Sequence, residues 1–69
     1  MYEDQKHALV KIRSYIERDL PPEAYEVLEH WLEDVAKSWG KMNLDPTQLR
    51  DLQAEGSCLL QDLRRRQRM

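Results

Sequence analysis

Two histidines, one cysteine and a run of arginines are the side chains whose chemistry could be used by this chain of 69 residues. His7, His30 and Cys58 lie far apart in the sequence, and none forms the close pair that zinc sites use. Cys58 has no neighbouring histidine to act as its base, so we expect a partly buried structural thiol. The sequence therefore predicts no metal site, no cofactor and no catalytic residue.

The remaining polar groups do not favour an enzyme either. The acidic side chains are spread along a helix face, whereas paired carboxylates that transfer protons need a cleft. The two glycines, Gly40 and Gly56, stand alone, so no glycine-rich loop could hold a phosphate. We expect a protein that is not an enzyme.

The C-terminal end, residues 64–69, is strongly basic. Such a cluster could contact the phosphates of a nucleic acid, which makes a nucleic-acid-associated regulator the alternative function. Against it, the isoelectric point is about 5.6, and residues 21–36 hold acids but neither lysine nor arginine. A solvated helix end, where cations complement the helix dipole, also explains the cluster. The candidate phosphate contacts are Arg50, Arg64, Arg65, Arg66 and Arg68.

Residues 22–39 carry the strongest pattern in the chain. At about 100° per residue, their apolar side chains occupy one half of a helix and their acidic side chains occupy the other. Trp31 and Trp39 both lie on the apolar half. These tryptophans could form the core of a bundle or anchor a second protein, and the sequence leaves both interpretations open.

Two further helices are predicted, over residues 2–19 and 46–66. Asp45 and Pro46 are typical of a helix start, whereas we expect Gly40 to end the second helix in a left-handed conformation. Gly56 interrupts a leucine stripe, as either a helix break or a notch for Trp31 or Trp39. The leucine register continues unchanged across Gly56, which favours the notch.

This pattern predicts a single all-α domain over residues 1–69. The short connections favour antiparallel neighbours, as in a small three-helix up-down bundle. A helical hairpin completed by dimerisation is the other possibility. A core this small rarely leaves more than about 3–5 kcal/mol of net stability, so we expect a partner or self-association.

The leading functional hypothesis is a small adaptor, regulator or co-chaperone that binds another protein, or a second copy of itself, through apolar helix faces. In a homodimer, the acidic half of the second helix could meet the arginine cluster of the other copy. Glu33 and Asp34 would then orient the interface. The predicted partner contacts are Trp31, Val27, Trp39, Val10, Leu59, Leu60, Glu33 and Asp34.

Hydropathy and cysteine content indicate in which cellular compartment we expect the protein. The sequence has no apolar stretch of the length that spans a bilayer, so no membrane segment is predicted. Residues 1–7 carry acids and lack the apolar region of a secretory signal. A single cysteine excludes an internal disulfide, which favours the cytoplasm.

Overall fold

A computed structural model describes residues 1–68 and contains three helices, α1 (Tyr2–Ile16), α2 (Pro22–Trp39) and α3 (Pro46–Gln67). No strand occurs within that range, so the prediction of an all-α three-helix bundle is confirmed. The end of α2 contacts the start of α1, and the start of α2 contacts the end of α3. Helices that follow each other in the chain are therefore antiparallel, whereas α1 and α3 run parallel, because the start of α1 contacts the first half of α3. None of the helices in residues 1–68 combines the length and hydropathy of a membrane span.

Helix α1 ends at Ile16, earlier than the predicted position 19. The cause lies in α2, where Tyr25 is buried. The Tyr25 hydroxyl donates a hydrogen bond to the carbonyl of Arg18 at 2.6 Å and accepts one from the backbone N–H of Leu20 at 3.1 Å. These backbone groups bind a side chain across the loop, so they do not continue the helix.

Gly40 does not adopt the left-handed conformation that the sequence predicted. Its φ is −68° and its ψ is −18°, which any residue adopts. The backbone N–H groups of Lys41 and Met42 donate to the carbonyls of Ser38 and Trp39, at 3.1 and 3.2 Å. The helix thus ends through tight right-handed turns, which need no left-handed glycine.

The boundaries of α3 agree closely with the prediction. The backbone N–H of Asp45 donates to Oε1 of Gln48 at 3.3 Å, as in a capping box. The helix continues to Gln67, one residue beyond the predicted end at 66. Cys58 differs from its prediction, because its side chain is exposed rather than partly buried.

The apolar stripes of the three helices meet in one core, and Trp39 connects all three. Its indole Nε1–H donates to Oε1 of Gln5 in α1 at 3.0 Å. A Cβ placed on Gly56 of α3 would lie 3.1 Å from Cη2 of the same indole, so the notch at Gly56 is confirmed and Trp39 fills it. The buried apolar side chains are Leu9, Ile12, Ile16, Tyr25, Leu28, Leu32, Trp39, Leu52, Leu59 and Leu63.

A cluster of charged side chains joins α1 to α3 at the surface. Lys6 Nζ lies 2.9 Å from Oδ2 of Asp51 and 2.9 Å from Oε2 of Glu55. Arg13 Nη2 lies 2.9 Å from Oε1 of Glu55. The hydroxyl of Tyr2 also donates to Asp51. The hydrogen bonds donated by Tyr2 and Lys6 hold the pKa of Asp51 below its ordinary value of 3.8.

This cluster predicts that acid destabilises the fold. Because the pKa of Asp51 is lower in the folded chain, its carboxylate stabilises the fold above pH 3.8, and this contribution is lost as the pH falls through the folded pKa. Urea unfolding at a series of pH values checks the direction. In Asp51→Asn the dependence of stability on pH should be shallower than in Asp34→Asn, the control that removes the same charge at an exposed position outside the cluster. Equal profiles for the three proteins would contradict this prediction.

Candidate protein-binding groove

An open groove with a volume of about 260 Å³ runs between α2 and α3. Helix α1 packs on the other side of α3, where it reaches Asp51 and Glu55. Ser57 lies two residues beyond Glu55, or about 200° around the helix, and so faces away from α1. We call this feature the α2–α3 groove. Its lining residues are Leu32, Glu33, Ala36, Trp39, Gln53, Gly56, Ser57 and Leu60.

The groove has an apolar floor and small side chains above it. Leu32 and Trp39 form the floor, and each is almost fully buried. Ala36 and Gly56 contribute a methyl group and a hydrogen, so neither fills the space between the helices. Leu60 is half-buried and completes one wall. The groove therefore exists because large side chains below it are flanked by the two smallest residue types.

The rim of the groove carries one charge. Glu33 lines the α2 side and is half-buried, while Gln53 and Ser57 on the α3 side are exposed and uncharged. Within residues 1–68, Glu33 forms no ion pair. The groove thus combines an apolar floor with a carboxylate on one edge.

The size of the groove fits side chains better than a metabolite. Pockets for small molecules usually measure about 300–1,000 Å³ and enclose their ligand, whereas this groove is smaller and open. Ser57 supplies the one hydroxyl of its lining, and no histidine lines the groove to act as a base for it. Across residues 1–68, no three acidic, histidine or cysteine side chains come together as metal ligands. His7, His30 and Cys58 all lie exposed on separate helices.

The predicted partner contacts fall in several places. Leu60 and Glu33 meet in the α2–α3 groove. Trp31 lies outside it and packs against Tyr15 of α1, with ring centroids 6.4 Å apart. Val27 is 67% exposed and lies one turn before Trp31. The structure therefore divides the predicted interface between the groove and a separate surface around Trp31.

Two other predicted contacts lie in the core. Trp39 and Leu59 are only 4% and 5% exposed. For Trp39 this is the core position, one of the two interpretations that the sequence left open, and Leu59 is likewise covered by packing between the helices. Trp39 reaches the groove only as its floor. Val10 is exposed on a different side of α1 from Tyr15. Asp34 is exposed and does not line the groove.

The arginine cluster is partly neutralised within the chain. Arg64 Nε lies 3.0 Å from Oε2 of Glu29. Arg65 and Arg66 both lie beside Asp62, at 3.0 and 3.3 Å. The acidic half of α2 therefore meets an arginine of its own chain, the same pairing that the dimer hypothesis placed between two copies.

Other contacts hold this end of α3 in place. Hydrogen bonds from Gln67 and Arg64 lower the pKa of Glu29. The guanidinium carbon of Arg66 lies 5.8 Å from the centre of the Tyr25 ring, within the range of a cation–π contact. Arg50 and Arg68 are exposed. Binding of nucleic acid by these arginines stays a prediction, and it would compete with these internal contacts.

Five of the eight groove residues were not among the predicted partner contacts. Leu32 and Gly56 were placed only in apolar stripes, whereas Ala36, Gln53 and Ser57 belong to no stripe and are exposed. The available signal was their small or uncharged nature beside the stripe, at positions where charged residues would be expected on a solvated helix. That signal is weak without knowing which helices are neighbours.

Comparison of the chain with family models, with curated proteins and with solved structures found no match. No relative therefore indicates a ligand for the α2–α3 groove. Its role has to be inferred from its shape, its apolar floor and its charged rim.

Proposed function

We propose that this chain is a small non-enzymatic protein-binding module, an adaptor or regulator, that accepts a helix of another protein in the α2–α3 groove. The observation that carries the proposal is the open apolar floor formed by Leu32 and Trp39 and walled by Leu60. Grooves of this kind bind the apolar face of an amphipathic helix. A bound helix would cover the exposed sides of Ala36 and Leu60, which stand above a floor that is itself almost fully buried.

The dimensions support a helical ligand. Leu32 and Trp39 are seven residues apart on α2, which is about two helical turns or ~10 Å. A ligand helix lying along the groove would therefore span this floor with apolar side chains at i and i+7, and a third at i+3 or i+4 would lie between them. Large side chains of Leu, Met or aromatic type suit the available volume of about 260 Å³.

We place this activity in the cytoplasm, because Cys58 is an exposed free thiol of the kind that a reducing compartment preserves. The arginine cluster and the surface around Trp31 are not required for the proposal. The role as adaptor, regulator or co-chaperone depends on which protein supplies the helix.

Substitution of Ala36 tests the proposal. Ala36→Lys places a long cationic side chain at the groove, while lysine is a good helix former and the site is exposed, so stability should change by less than about 0.5 kcal/mol. The matched control is Ala54→Lys, an exposed alanine on α3 outside the groove. Proteins captured from native cells by the unmodified chain should also be captured by Ala54→Lys and lost with Ala36→Lys. Retention of the same proteins by both variants would refute a role for the groove.

A further inference from the structure

The charged residues around the α2–α3 groove indicate which kind of helix the groove would bind. Residues 21–36 contain five acidic side chains and neither lysine nor arginine. Only Glu29 forms an ion pair within residues 1–68, with Arg64. Glu33, at the groove itself, has no cationic partner in that range. Of the acidic side chains of α2, Glu33 alone lines the groove, so the α2 edge carries a single negative charge.

The opposite edge does not balance this charge. The groove residues of α3 are Gln53, Gly56, Ser57 and Leu60, all uncharged. Arg64 lies further along α3 and is neutralised by Glu29 at 3.0 Å. Lys37, the one lysine or arginine of α2, lies one helical turn beyond Glu33 on the same side, but the two side chains form no ion pair. The groove as a whole is thus apolar at its floor, negative on its α2 edge and neutral on its α3 edge.

Resting on the proposed function, we infer that the ligand of the α2–α3 groove is a basic amphipathic helix, with lysine or arginine beside its apolar stripe on the side that lies over α2. Burying Glu33 against an uncharged or acidic helix would remove water from a carboxylate and leave it unpaired. A cationic residue at this position would pair with Glu33 at the rim. Rim charges mainly set orientation and partner choice, while the apolar floor supplies the affinity.

A second copy of this chain does not fit the site as well. Its arginine cluster is the basic segment that it could offer, and Arg64, Arg65 and Arg66 already lie beside Glu29 and Asp62. The apolar stripes of its own helices are buried in the core. The ligand is therefore a helix of a different protein.

Two synthetic helical peptides with the same leucine stripe test this inference, one with lysine and one with glutamate beside the stripe. Binding is followed by NMR through the amides of Ala36 and Ser57 and the indole N–H of Trp39. The lysine peptide should bind at least about tenfold more tightly than the glutamate peptide. Glu33→Gln should lower the affinity for the lysine peptide by about threefold. Asp34→Asn removes the same charge at the adjacent residue, outside the groove, and should have a smaller effect.

The outcomes separate this inference from the proposed function. Equal binding of both peptides in the groove, or equal effects of Glu33→Gln and Asp34→Asn, would overturn the basic ligand and leave the helix-binding groove standing. If the lysine peptide changes the chemical shifts of Tyr15 and Trp31 alone, or if neither peptide changes any shift, both the basic ligand and the helix-binding groove would be overturned. Sedimentation equilibrium completes the test, because a dimer that protects the groove amides would show that a second copy occupies it.

Discussion

Trp39→Ala is expected to lower the free energy of unfolding by about 3–5 kcal/mol, the largest loss that we expect from one substitution in this chain. The indole is 4% exposed, donates a hydrogen bond to Gln5 of α1 and fills the notch at Gly56 of α3. Alanine would leave a cavity between three helices and an unpaired amide. A bundle of this size holds only about 3–5 kcal/mol of net stability, so the variant should be largely unfolded. Far-UV circular dichroism during urea unfolding measures this loss.

Trp31→Ala is the matched control for that experiment. Trp31 is only partly buried, at the edge of the core, with its ring tilted against Tyr15. We expect a loss of about 1–2 kcal/mol, smaller than that of Trp39→Ala, because fewer contacts are removed. Equal losses from the two variants would show that Trp39 does not hold the helices together.

Gly56→Leu is expected to lower the free energy of unfolding by about 2 kcal/mol. A Cβ at this position would lie 3.1 Å from Cη2 and 3.6 Å from Cζ3 of Trp39, and leucine adds three further carbons beyond it. Overpacking of this kind costs about 1–3 kcal/mol or more, and the better helix propensity of leucine offsets about 1 kcal/mol. Because the indole is tied to Gln5 at 3.0 Å, it cannot move aside without losing that hydrogen bond.

Two controls identify the cause of this loss. Gly40→Leu makes the same change at the exposed end of α2, where an added Cβ would meet only the carbonyl of Lys37 at 3.9 Å, so it should cost little. In a Trp39→Phe background the side chain is shorter and leaves space above Gly56. Gly56→Leu should then cost less than it does beside the tryptophan, as a double-mutant cycle would measure. A cost that is unchanged in that background would show that the indole is not what leucine displaces.

Much of this fold could be predicted because its signals are local. Asp45, Pro46 and Gln48 determine the start of α3 through neighbouring backbone groups, and Pro22 does the same for α2. The apolar stripes repeat at the helical period, so both the helices and the faces that they bury could be predicted. The notch at Gly56 was also predictable, because a glycine in an unbroken leucine stripe indicates a close approach.

The errors arise where a distant side chain decides the outcome. The end of α1 is determined by the hydroxyl of Tyr25, which binds the loop from another helix. Trp31 and Trp39 share one apolar half of α2, yet only Trp39 is covered on all sides. The pattern within one helix gives the direction of a side chain but not what lies opposite it.

The sequence by itself determined three amphipathic helices, their approximate bounds and the acidic character of α2, because helix propensity, capping and charge act over a few neighbouring residues. Only the tertiary structure decided that Trp39 is the centre of the core, that Arg64 pairs with Glu29, and that an apolar groove opens beside Ala36 and Ser57. These features depend on which helix faces meet and how closely they approach. A groove is the space that two packed helices fail to fill, and neither helix specifies that space alone.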